Sequence, residues 1–212
     1  MRYLTILFDF DGTLADTGEL ALRTLNTLAP EFGLTPITRE EIPALKMLSA
    51  WQLLVRRSGI PLWNLIKIWK LERRAREEFA RHAEEIRLFA GIPEMVQALR
   101  AVGVEIGIVS SNDREIVVDA LNRAGIQVDF IHSGSRLFGK ARAIKEALRE
   151  YDVVRSRVVY VGDELRDVEA CKKAGIDMIA VGWGFNAPEA LRASGARLAA
   201  TPQELLAILS AQ

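Results

Sequence analysis

The chain has one cysteine, Cys171, so no disulfide can form within it and a packed core must hold its fold. Cys171 lies in VEACKKAG, where it reads as a packed helix residue, and a reduced, cytoplasmic setting is the expectation. No leader of basic, apolar and small residues precedes the first strand-like run. Net charge is also missing. The 28 Lys and Arg residues balance 28 Asp and Glu, which leaves no basic field to attract nucleic acid or an anionic membrane. No apolar stretch is long enough to span a bilayer, since even PLWNLIKIWKL is broken by Asn64 and Lys67. His82 and His132 have no companions at metal-ligand or catalytic spacing. Internal repeats and low-complexity segments are absent too. Small molecules are the expected partners, with oligomeric state left open.

What is present is a globular composition, 50% hydrophobic and 26% charged, in 212 residues, enough for one core domain carrying an insertion. Residues 2–10 read as a strand buried on both faces, because their apolar residues run almost without a break into turn chemistry. Residues 19–87 show helical patterns only. ELALRTLNTLAPEFG follows Asp16 or Thr17 as an N-cap, Thr38 and Glu41 form a capping box for another helix, and WNLIKIWKLERRAREEFARHAEE reads as a long amphipathic one.

After Gly91 strands and helices alternate. Pro93 suits the first turn of a helix through Ala101. VEIGIVSS, VDFIHS, RVVYVGD and DMIAVGWG are strands, separated by the helices REIVVDALNRAG, KARAIKEALREY and DVEACKKAG, with PEALRASG and PQELLAILSA helical at the end. The expected class is α/β: a three-layer, Rossmann-like parallel sheet built from residues 1–15 and 89–212, with an all-helical insertion at 16–88.

In open parallel sheets, ligands gather beyond the carboxyl ends of the strands. Those ends are polar here. The first carries Asp9 and Asp11 in LFDFDGTLADT, the second Ser110 and Ser111, and the fourth Asp163 with Asp167 four residues on; Lys140 opens the helix after the third. A helix beginning directly after the fourth strand would put Asp163 and Asp167 on one face, turned toward the Asp9 loop. Such hard oxygen ligands suit Mg²⁺, which takes few carboxylates and leaves room for water and a substrate phosphate. With a phosphate ester as guest, one carboxylate of the Asp9 and Asp11 pair can attack phosphorus while the other protonates the leaving oxygen and later activates water. Lys140, with hydroxyl and backbone donors around Gly12, Thr13, Ser110 and Ser111, can counter charge on the phosphoryl oxygens.

DFDGT, IVSS, a lysine ahead of a helix and GDELRD, in that order, resemble the haloacid dehalogenase (HAD) superfamily. The whole chain is similar to its phosphoglycolate phosphatase-like branch, in which a helical cap is inserted just after the first motif. The resemblance implies Asp9 as nucleophile, Asp11 as acid/base, Ser110 as phosphate-binding hydroxyl, Lys140 as the family lysine, Asp163 as metal ligand and Asp167 as accessory acid. It also implies that Mg²⁺ takes the main-chain carbonyl of Asp11. The implied activity is Mg²⁺-dependent hydrolysis of a small phosphate ester, phosphoglycolate-like or a sugar phosphate, through an aspartyl phosphate. Alternatives are a sugar phosphomutase, a haloacid dehalogenase and, from another class, a phosphate-accepting signalling or binding module. A dehalogenase would need neither Asp11 nor magnesium, and a positioned acid/base would shorten the life of a signalling acyl phosphate. Lys140 stands in FGKARA, where many relatives place prolines after the lysine; Lys145 and Lys172 fall inside expected helices.

Other features receive plainer readings. GSRLFGKA nearly matches a phosphate-cradling loop, but Ala141 replaces the hydroxyl that would meet Mg²⁺. GWGFNA mimics a dinucleotide fingerprint with too little chain after it, and is read as a loop bordering the site. Asn112 and Asp113 are read as a helix cap, Glu164 as exposed, ERRAREE as a solvated helix face, and Trp51, Trp63 and Trp69 as packing residues. Lys46, Arg56 and Arg57 are not assigned to the substrate.

Overall fold

Short apolar runs become the strands β1 (Thr5–Phe8), β2 (Glu105–Val109), β3 (Phe130–His132), β4 (Val158–Gly162), β5 (Asp177–Val181) and β6 (Arg197–Ala199) in a computed structural model describing residues 2–49, 52, 65–134 and 139–211, with Leu65 as backbone only. Every pairing is parallel, in the order β3-β2-β1-β4-β5-β6. Parallel neighbours cannot be joined by a tight turn, so the chain crosses over the sheet between them. The central strands β1 and β4 are buried along their whole length, as their unbroken apolar sequence requires.

The described helices are α1 (Gly18–Phe32), α2 (Ile42–Leu45), α3 (Leu65–Ala80), α4 (Ile92–Ala101), α5 (Arg114–Arg123), α6 (Lys140–Glu150), α7 (Leu165–Ala174), α8 (Pro188–Ala193) and α9 (Pro202–Ser210). Alternation along each strand gives the sheet two apolar faces, each covered by helices. Ile6, Phe8, Ile106 and Ile108 face a core shared with Met95 and Leu99 of α4, Leu121 of α5 and Leu205 of α9. Leu7, Val109 and Tyr160 face the other side, against Ile144 and Ala147 of α6 and Cys171 of α7. Each large apolar side chain so buried contributes roughly 1.5–3 kcal/mol. The α/β class holds.

The chain leaves the sheet and returns to it along paired backbone: Asp16 N–H donates to the Arg87 carbonyl at 2.8 Å and Phe89 N–H to that of Leu14 at 3.0 Å. Between these crossings lie α1, α2 and α3. Among the described residues no helix is long and apolar enough to cross a membrane.

Several local expectations need correction. β6 has no counterpart among the expected strands; three residues are too short to show a pattern, and only Ala199 is fully buried. The Thr38 and Glu41 pair, with Glu41 accepting from Thr38 N–H at 2.9 Å, opens a 3₁₀ turn (Arg39–Glu41) leading into the single turn of α2. The long helix stops at Ala80, and Ala83–Glu85 forms a separate 3₁₀ turn. Trp69 is 49% exposed instead of packed, with the Arg73 guanidinium 5.6 Å from its ring centroid. Trp51, Trp63, Arg56, Arg57 and residues 135–138 of the phosphate-loop look-alike lie outside the described residues.

Candidate active site

β1 sets the first acid. Asp9 N–H still bonds the Val161 carbonyl at 2.8 Å, so strand alternation continues one residue past Phe8 and Asp9 follows Leu7 toward the α6 and α7 layer. Both of those helices start there. Lys140, the first residue of α6, places Nζ 2.6 Å from Asp9 Oδ2 and 3.4 Å from Oδ1 of Asp167, which sits in the first turn of α7. Beneath the ammonium lies the Tyr160 ring, 5.5 Å away.

Asp163 directly follows β4, the neighbour of β1, where the strand order reverses. It precedes the N-cap Glu164 and is not helical, so the expectation of one shared helical face was wrong; the two carboxylates converge from a strand end and a first turn. The Thr13 hydroxyl donates to Asp163 Oδ1 and Phe185 N–H to Oδ2, both at 2.7 Å. This grip depends on two glycines. Gly12 has φ +71°, and a Cβ there would overlap the Asp163 carboxylate and the Phe185 ring; a Cβ at Gly184 would overlap Asp163 and the Gly12 carbonyl oxygen. Trp183 ties the same loop down by donating Nε1–H to the Thr13 carbonyl at 3.0 Å.

Ligand atoms of Asp9, Asp163 and Asp167 all lie within 4.8 Å of one another, and all three residues are buried. Lys140 meets two of these carboxylates, Asp9 and Asp167, and the crowding of buried acids shows in the acidity of Asp163 and Asp167. Burial, then Glu164, Asp167 and Asp9, push Asp163 well above the usual carboxylate range. Burial lifts Asp167 to about 6 against the pull of Lys140. Burial alone would lower Lys140, but Asp167 and Asp9 raise it on balance. The contact between Lys140 and the acids is an ion pair out of hydrogen-bond alignment, which leaves Asp9 Oδ2 and Asp167 Oδ1 with bonding capacity unspent. Buried, hard, negatively charged oxygens with spare lone pairs are a donor set that fits Mg²⁺.

Asp11 is separate from that cluster. Its two oxygens accept from Asn112 Nδ2 at 3.0 and 2.8 Å. Burial and the Asp9 charge raise it to about 6, while Thr17, Asn112 and Lys140 oppose the rise. Ser110 is fully buried, its hydroxyl accepting from Asn112 N–H at 3.0 Å, and Ser111 is half-buried beside it.

Of the residues singled out in the sequence, Asp9, Lys140, Asp163 and Asp167 come together, and Thr13 turns its hydroxyl to Asp163. Asn112 was read as a cap; Asp113 occupies the N-cap position of α5, and Asn112 holds Asp11. No local pattern marks it. Glu164 is not exposed: its side chain is 13% accessible and pairs with Arg166 at 2.6 Å. Lys46 bonds the Gly184 carbonyl at 2.9 Å, and GWGFNA does border the site.

This doubly wound sheet with acids at two adjacent strand ends is an enzyme of the haloacid dehalogenase-like hydrolase family, to which the chain belongs: the family model matches residues 6–181. The phosphoglycolate phosphatase of Synechococcus elongatus is 34% identical over 204 residues, covering 95% of this chain and 94% of its own. Among solved structures, the haloacid dehalogenase-like family protein SP0104 from Streptococcus pneumoniae shares the fold at TM-score 0.73 and 21% identity, over 98% of this chain and 99% of its own. A mutant of CbbY from Rhodobacter sphaeroides, in complex with xylulose-(1,5)bisphosphate, aligns at TM-score 0.70 and 29% identity over 96% of each chain.

Proposed function

We propose that the protein is a Mg²⁺-dependent phosphatase of small phosphorylated metabolites, working through an aspartyl phosphate on Asp9. The observation that carries this reading is the meeting of Asp9, Lys140, Asp163 and Asp167 in one buried cluster. Asp9 and Asp163, with Asp167 beside them and the Asp11 main-chain carbonyl, would hold Mg²⁺. When bound, the ion counters the negative charge of the acids and of the phosphoryl oxygens.

The chain's own groups account for the rest. Lys140, with Nζ 2.6 Å from Asp9 Oδ2, holds that carboxylate in place for attack. A carboxylate oxygen of Asp9 bonds to phosphorus as the ester P–O bond breaks, and Asp11 gives its proton to the leaving oxygen. Asp11, now a base, takes a proton from water as that water attacks phosphorus; the acyl phosphate P–O bond breaks and Asp9 is restored. Ser110, Lys140 and backbone N–H groups near Gly12 and Ser111 steady the transferring phosphoryl oxygens. Asn112 holds Asp11 in place, and Thr13 acts through Asp163.

The relatives support a small phosphate ester as substrate, either phosphoglycolate or a sugar phosphate. Residues 16–88 form a cap that covers the site during transfer and excludes water. The test is phosphate release from a panel of phosphorylated metabolites, with and without Mg²⁺. Wild-type protein turns over at least one of them only with the metal, and Asp9→Asn abolishes release. Full Mg²⁺-dependent turnover by Asp9→Asn refutes the proposal.

A further inference from the structure

Residues 183–187 serve two sides of the molecule at once. On the sheet side their backbone grips Asp163, with Phe185 N–H on Oδ2 at 2.7 Å and Asn186 N–H on the main-chain carbonyl at 3.3 Å. On the other side the loop is bonded to the insertion. Asn186 Nδ2 donates to the carbonyls of Lys46 at 2.8 Å and Leu48 at 2.9 Å, and Ala187 N–H donates to the Lys46 carbonyl at 2.8 Å. Lys46 Nζ donates back to the Gly184 carbonyl at 2.9 Å, making four hydrogen bonds between residues 46–48 and this loop.

Asn186 is 4% exposed, and every capacity of its amide that the contacts define is used. Its Oδ1 accepts from Leu165 N–H at 2.8 Å, at the start of α7, the helix that carries Asp167. The orientation of the amide follows from its partners, two carbonyls on one side and an N–H on the other. One residue therefore joins the insertion, the loop that grips Asp163 and the helix that presents Asp167. Lifting residues 46–48 away would strip a buried amide of both acceptors, which forces the loop to rearrange.

We infer that Asn186 is a positioning residue that couples the seating of residues 46–48 to the placement of Asp163 and Asp167, so that the acids hold their geometry only while the insertion is docked. The inference rests on the reading of those acids as the Mg²⁺ site and goes beyond it by assigning control of the site to a contact outside the chemistry.

The test compares wild type, Asn186→Ala, Lys46→Met and Asn26→Ala. Asn26 is the control: its amide makes the same kind of backbone bonds, to Ile37, but wholly within the insertion. Hydrogen–deuterium exchange over residues 42–48, calorimetric binding of Mg²⁺ alone, and kinetics with p-nitrophenyl phosphate are measured on each full-length protein. In Asn186→Ala, exchange over 42–48 speeds up about tenfold or more. Its Mg²⁺ dissociation constant rises about tenfold to hundredfold, the usual effect of losing support behind a metal ligand. Excess Mg²⁺ restores most of its kcat. Lys46→Met shows the same two shifts, more weakly, and provides the result if Asn186→Ala does not fold. Asn26→Ala leaves Mg²⁺ affinity unchanged. Variants at 186 and 46 that bind Mg²⁺ and protect 42–48 like wild type overturn the coupling, as does an Asn26→Ala that weakens Mg²⁺ equally. A wild type that neither binds Mg²⁺ nor releases phosphate overturns the reading of the site itself, and the coupling with it.

Discussion

Replacing Lys140 by methionine keeps the length of the side chain and deletes its charge. Its ammonium stands 2.6 Å from Asp9 and 3.4 Å from Asp167, and none of the three side chains is more than 5% exposed. Lys140 is the strongest influence holding Asp167 down against burial, so without it the raised value of about 6 climbs further. Removing one partner of a buried ion pair costs about 3–5 kcal/mol, because the surviving charge stays buried without compensation. Protons can relieve that cost here. A carboxyl raised in the folded state keeps a proton that the unfolded chain has lost above about pH 4, so the variant is most stable in acid and weakens as pH rises through the raised folded values. In a chain of this size the deficit corresponds to a thermal midpoint roughly 6–20 °C below wild type near neutral pH, shrinking toward pH 5. Circular-dichroism melts of chelator-treated protein across that range measure it, and added Mg²⁺ should recover part of the loss by binding only the folded state. A variant that melts with wild type at neutral pH, or whose deficit is equally large in acid, would show that these groups do not share an electrostatic balance.

Gly184→Ala forces a Cβ into Asp163 and the Gly12 carbonyl and should cost about 1–3 kcal/mol with loss of Mg²⁺ binding, whereas Gly18→Ala, with open space around it, should be near neutral; urea unfolding and calorimetry compare them. Asn112→Ala removes a bond that holds Asp11 down, so the alkaline limb of the kcat/KM profile, where Asp11 loses the proton it must give to the leaving oxygen, should move to higher pH; an unmoved limb rules Asn112 out as its support. Burial pushes the Cys171 thiol far up, so a thiol reagent should leave the native protein untouched and modify it in urea. Because the unfolded thiol ionises near its ordinary value and the folded one does not, stability should also fall as pH rises above about 8.5.

What could be read from the sequence follows from the range of the forces involved. The buried strands Thr5–Phe8 and Val158–Gly162 announce themselves through continuous apolar residues, and the parallel sheet follows from alternation with helices. The acids stand out because carboxylates at the ends of such strands are costly without a partner. Asn112 and Asn186 are different. Each works by contacts 101 to 140 positions away, which leave no periodicity or spacing behind, and beside NDRE an asparagine reads as a cap. Glu164 looked exposed because the sequence shows no partner for it; Arg166, two residues on, pairs with it and both side chains are largely covered. β6 was hidden by its length, since strand character in Arg197–Ala199 comes from pairing with β5 and not from its own residues.

The most direct measurement is the identity of the atom that receives phosphorus. Wild-type enzyme turning over an accepted ester with Mg²⁺ is quenched in acid within the first turnover, and its peptides are weighed. The account predicts a single phosphoryl group, carried by the Asp9 carboxylate. A phosphoryl group trapped on any other residue contradicts it.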